Sequence, residues 1–144
     1  GWRYNIYWDN GAFPGSNGQP NSLNSMAADP QNPNKLLTSG FARQPANTDG
    51  ARMNQKLNLG ATYNIRNIQF TNCGNGNNHT ISFDSYGRPM GQLANSNVPY
   101  DRLFVGQCVI TLTKDARETA SITIEPETGY LRYTLNSNTG TAAQ

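Results

Sequence analysis

One histidine, nine carboxylates and two cysteines are the residues of this chain best suited to chemistry. A hydrolytic triad needs a base, and His79 is the single imidazole. It lies in Gly74-Asn75-Gly76-Asn77-Asn78-His79, a turn-forming stretch with no Ser or Cys nucleophile motif, and reads as a solvent-exposed loop residue. The carboxylates could form a glycosidase pair only at a separation that sequence does not set. Asp9-Asn10-Gly11 echoes the start of a calcium loop, but the later acids of an EF-hand are absent. No glycine-rich phosphate loop occurs. Cys73 and Cys108 are 35 residues apart without CxxC spacing, and a zinc site needs about four ligands. The expectation is no metal, no cofactor and no enzyme. A disulfide between Cys73 and Cys108 is the leading reading, and two separate buried thiols are the alternative.

The elements that must position these residues are bounded by composition. A chain of 144 residues is one domain, 1–144, with one modest core. Apolar residues make up 35 % and charged residues 14 %, both below globular averages, and the difference is filled largely by about twenty Asn together with Ser, Thr, Gln and Gly. A polar, weakly charged surface of this kind fits an extracytoplasmic protein. With 10 % aromatics and a net charge of +2, the chain lacks the signature of disorder, and the charge alone does not make a nucleic-acid binder. No stretch of about 18 apolar residues is present, and no signal peptide opens the chain. The chain begins on Gly1-Trp2-Arg3-Tyr4 in a strand-like pattern, and the expectation is a fragment or processed form whose N-terminal segment is missing.

Residues 2–8 alternate bulky and polar side chains and predict a strand, closed by a turn at Asp9-Asn10-Gly11. From Ala12 to about Asn34, Pro, Gly, Asn and Ser predominate, which predicts a long polar loop with one helical turn around Ser22–Ala28. Further strands are predicted at Leu36–Phe41, Thr62–Thr71, Thr80–Asp84 and Leu103–Thr113. Ser121–Glu125 and Gly129–Leu135 read as a hairpin closed by Pro126-Glu127-Thr128-Gly129. No window holds helical periodicity. Short strands at roughly ten-residue spacing argue for an all-β fold, an antiparallel sandwich of two sheets or a partly open barrel.

The second half has an order of motifs. A strand ends in Phe83-Asp84-x-x-Gly87-Arg88-Pro89; a polar loop, the strand Cys108–Thr113 and a turn with Arg117 follow. The strand Ser121–Glu125 then runs into Pro126-x-Thr128-Gly129-Tyr130-Leu131-Arg132. Over roughly residues 80–135 this resembles the GspH/FimT family of minor pseudopilins and minor type IV pilins, and Trp2–Gly11 is similar to that family's early strand. The resemblance implies a β-sandwich head on an N-terminal hydrophobic helix, which anchors the full-length protein in the inner membrane of a bacterial envelope and later packs in a fibre. The head would be periplasmic or extracellular, and its partners would be other minor pilin or pseudopilin subunits. The chain departs from the family's G-R-x-R-like hairpin by carrying Tyr130 in place of the first arginine.

Gly87 is expected to supply a positive φ and Pro89 to stop the strand, with Arg88 an exposed turn residue or the partner of a nearby carboxylate. The first functional expectation is therefore assembly: a structural subunit that initiates or caps a type II secretion pseudopilus or type IV pilus. The second is a DNA-binding minor pilin of natural competence, in which Arg88, Lys114, Arg117 and Arg132 form a strip along the phosphates. Asp115, Glu118, Glu125 and Glu127 in the same segments oppose it. The third is an extracellular carbohydrate-binding module using Trp2, Tyr4, Tyr7 and Trp8. Alternation puts Tyr7 on the opposite face from the other three, so core packing is the simpler account of them.

Overall fold

Alternating apolar and polar residues along 108–137 fold this part of the chain back on itself twice, and the sheet that results organises the protein. The computed structural model describes residues 1–8, 20, 22–40, 50–74, 79–93 and 102–137. Among them lie the strands β1 (Ala28–Asp29), β2 (Asn32–Leu36), β3 (Asn67–Thr71), β4 (Ser82–Phe83), β5 (Pro89–Met90), β6 (Cys108–Thr113), β7 (Glu118–Ile124) and β8 (Leu131–Ser137). Helix among the described residues is limited to α1 (Leu59–Tyr63) and two short 3-10 turns, Leu23–Ser25 and Gln55–Leu57. The protein is mostly β, in three antiparallel sheets: the hairpins β1-β2 and β4-β5, and a four-stranded sheet of order β3-β6-β7-β8.

The hairpin closed at Pro126–Gly129 forms as its sequence predicts. Glu127 and Gly129 take positive φ, the Glu125 N–H donates to the Tyr130 carbonyl at 2.9 Å, and the Gly129 N–H donates back to Glu125 at 3.1 Å. The disulfide also forms: Cys73, just past β3, joins Cys108, the first residue of β6. Around it lies a core of Phe104, Cys108 and Ile124, with Phe70, Ile81 and Ile110 packed against it.

The N-terminal half is held differently. Residues 2–8, expected as a strand, make only a single bridge among the described residues, Tyr7 to Met26. Their amides reach several segments in turn: Tyr4 to Leu57, Ile6 to Leu37 and Trp8 to Ser25. Met26, Leu36, Met53 and Leu57 are buried in this half. Asp29, almost fully buried, accepts from Lys56 Nζ and Asn54 Nδ2, each at 2.6 Å, and from the Gln31 N–H.

Several expectations change. The segment expected as a loop to Asn34 contains the hairpin β1-β2, because Pro30 and Gln31 supply a tight turn that the polar composition conceals. The strand expected at 36–41 is Asn32–Leu36, and Phe41 lies outside the described residues, as do Asp9-Asn10-Gly11. In 62–71 the first residues belong to α1, which Asn58 caps through Ala61 N–H and Asn64 ends in the left-handed conformation; only Asn67–Thr71 is strand. The strand expected from Leu103 starts at Cys108. Pro89 opens β5 instead of ending a strand. Core packing does not account for Tyr4 and Trp8, which are exposed, while Trp2 and Tyr7 are half-buried.

Candidate functional site

Register decides which side chains share a face. Phe70 and Ile68 of β3 lie opposite Ile110 and Leu112 of β6. These in turn face Ile122 and Ala120 of β7, and Cys108 faces Ile124. Leu131, Tyr133 and Leu135 of β8 complete the rows. Because successive residues point to opposite sides, one face of the sheet is apolar from edge to edge. The other carries Gln69, Thr111, Ser121, Thr134 and similar polar residues.

Among the described residues, the apolar face is covered at one end only. There Ile124 is 3 % exposed beneath the disulfide core. Toward the other end Ile68, Leu112, Ala120 and Ile122 are only half-buried, and along β8 Leu131, Tyr133 and Leu135 are 54 %, 74 % and 70 % exposed. A groove of about 280 Å³ opens among Ile65, Leu112, Ala120 and Leu135, with Lys114 and Glu118 on its rim. A second groove, about 480 Å³, lies between the N-terminal segment and β4 and is lined by Ile6, Trp8, Ile81, Phe83 and Leu93. Scattered single apolar residues are the norm on a monomer, so a surface of this continuity is a candidate contact site.

The Phe83–Pro89 motif is the turn of the β4-β5 hairpin. Asp84 organises it, accepting from the Tyr86 and Arg88 N–H groups at 2.9 Å and from Arg88 Nε at 2.6 Å. Partial burial pushes the Asp84 carboxyl up, but the hydrogen bonds from Arg88 and Tyr86 outweigh it and hold the group below the ordinary carboxylate value. Gly87 takes φ +80°. Its carbonyl lies against the α-carbon of Gly129, where a β-carbon would sit 2.4 Å from the oxygen. The two glycine motifs, far apart in sequence, thus form one junction over the β7-β8 end of the sheet.

The four cations considered for phosphate contact are not brought into one strip. Lys114 and Arg117 sit in the β6-β7 turn, while Arg88 and Arg132 sit near the opposite end, roughly 20 Å away along a seven-residue strand. Lys114 pairs with Glu118 at 2.8 Å, Arg132 with Glu125 at 2.8 Å and Arg88 with Asp84. The hydrogen bond that Lys114 donates to Glu118 raises the Lys114 pKa, and the Arg117 N–H lowers that of Asp115. His79 is exposed, with the ring centroids of Phe70 and Trp2 at 5.0 and 5.3 Å in edge-to-face geometry, and no nucleophile accompanies it in the described contacts.

Comparison of the chain with known protein families, curated proteins and solved structures finds no match. The sheet face is what sequence reasoning missed. Its signal was present as the shared parity of apolar residues at 108–112, 120–124 and 131–135, readable only once the pairing is known.

Proposed function

We propose that this chain is the head of a minor pseudopilin or minor type IV pilin of the GspH/FimT type, a structural subunit that initiates or caps a fibre. The observation that carries the reading is the half-covered apolar face of the β3-β6-β7-β8 sheet. A sheet with one apolar face needs a second layer, and a helix about 10 Å across laid over the strands would fit beside the disulfide core. Each leucine- or isoleucine-sized side chain it covered would contribute roughly 1.5–3 kcal/mol. The family's N-terminal helix is such a layer, and the sheet with its cover would make the pilin-like sandwich. The contact between Gly87 and Gly129 adds support, because it gives the two family-like motifs one structural purpose.

The test is the N-terminus of the full-length protein. A short basic leader followed by about twenty apolar residues is expected, a length that spans a bilayer. An ordinary cleaved secretory signal would overturn the assignment. The DNA reading has weaker support, since three of its four cations are already ion-paired. A gel-shift titration with duplex DNA should show no binding at low salt; micromolar binding that Arg117→Ala abolishes would reverse this order.

A further inference from the structure

We propose that β8 is a pairing edge that joins a second copy of this chain, antiparallel, about a twofold axis at Thr134. The bond from Glu125 N–H to Tyr130 fixes the alternation of the β7-β8 ladder. Arg132, Thr134 and Asn136 therefore turn their main-chain groups toward β7, and Leu131, Tyr133, Leu135 and Ser137 turn theirs outward. Among the described residues nothing pairs with that outward row, and all seven residues of β8 are exposed.

Proteins usually blunt such an edge with proline, lysine, a bulge or a covering segment. Two other edges here have such devices: β5 carries Pro89 and β1-β2 has a register shift, while at β3 Trp2 Nε1 donates to the carbonyl of Arg66, the residue before the strand. β8 has none: its register with β7 is unbroken over the whole strand, and it holds no proline or lysine.

The occupant is a second copy because the strand is complementary to itself. Centred on Thr134, the antiparallel register sets Tyr133 opposite Leu135, Arg132 opposite Asn136 and Leu131 opposite Ser137. The outward groups of one strand meet those of the other in hydrogen-bonded pairs, and the two apolar faces continue on the same side. The one charge, Arg132, is neutralised by Glu125 of its own chain and faces an amide rather than its copy. A twofold, isologous interface follows, and it does not depend on the pilin assignment.

Sedimentation of the full chain should give a species of twice the monomer mass whose share rises with concentration. Tyr133→Lys, at a side chain 74 % exposed, should abolish that species while leaving the circular dichroism spectrum, and the melting temperature at concentrations where the natural chain is monomeric, unchanged. Thr134→Cys should form an interchain disulfide on mild oxidation, since facing α-carbons in a non-hydrogen-bonded pair lie about 4.5 Å apart. Tyr133→Cys, displaced from the axis, should not. A monomer at every concentration overturns the proposal. So does a dimer that survives Tyr133→Lys, or equal cross-linking at positions 133 and 134.

Discussion

Gly87 and Gly129 share a left-handed backbone but should tolerate a methyl group very differently. Nothing lies within 4 Å of a β-carbon at Gly87, whereas at Gly129 the carbonyl oxygen of Gly87 would be 2.4 Å away. Gly87→Ala meets only the conformational penalty, about 1 kcal/mol. Gly129→Ala adds a backbone clash that no rotamer relieves, so a loss of about 2–4 kcal/mol is expected. Chemical denaturation of the two variants checks the order, and equal losses would contradict the junction. Asp29 makes a second residue-scale case. The hydrogen bond from Lys56, with that from the Gln31 N–H, holds its carboxyl below the ordinary 3.8 despite burial, and Asp84 and Asp115 are lowered as well. A carboxyl with a depressed folded pKa contributes stability that is full above its unfolded value and is lost as pH falls through the folded one. Stability should therefore hold down to about pH 4 and decline below it. Asp29→Asn should be less stable near neutrality and show a shallower acid decline; an unchanged acid profile would remove Asp29 from the account.

At the scale of elements, the disulfide links the end of β3 to the start of β6, strands that are neighbours in the sheet but 35 residues apart across the bond. Closing such a loop constrains the unfolded chain by roughly 3–4 kcal/mol. Cys73→Ser with Cys108→Ser should lower stability by about that amount, and the non-reduced natural protein should be two hydrogens lighter than the reduced one. Free thiols titrating in the native protein would contradict the bond. The same elements show what was legible in sequence. β6, β7 and β8 were readable because alternation and the Pro126–Gly129 turn agree, and Cys73 with Cys108 because spacing left few alternatives. Residues 59–66 were not, since five residues of helix are too short for a 3.6-residue period and Tyr63 and Ile65 mimic a strand. Strands β1 and β2 were hidden because Asn32, Pro33 and Asn34 are exposed and Leu36 is the one buried apolar residue of the pair, too little for an alternating pattern. The apolar face itself depends on pairing across three strands, which single-strand patterns do not carry.

For the whole molecule, the question is whether the open half of that face is surface or interface, and two side chains on it decide. Ile124 and Leu135 lie on adjacent strands of the same face, yet one is 3 % and the other 70 % exposed. In the isolated domain Ile124→Ala should cost about 2–5 kcal/mol, as for a core side chain. Leu135→Ala should stay within about 0.5 kcal/mol, as for a surface one, when measured at protein concentrations low enough to keep the β8 edge unpaired. A covering helix would change the second value and leave the first alone. If the proposed N-terminal helix precedes this domain, Leu135→Ala in that longer chain should cost about 1–2 kcal/mol more, because its neighbours Leu112 and Ala120 line the groove the helix would fill. Thermal unfolding of both variants in both lengths of chain gives the four values needed. An equally small Leu135 effect in the longer chain would mean that no segment of the protein lies on that end of the face, and the pilin-like second layer would have to be abandoned.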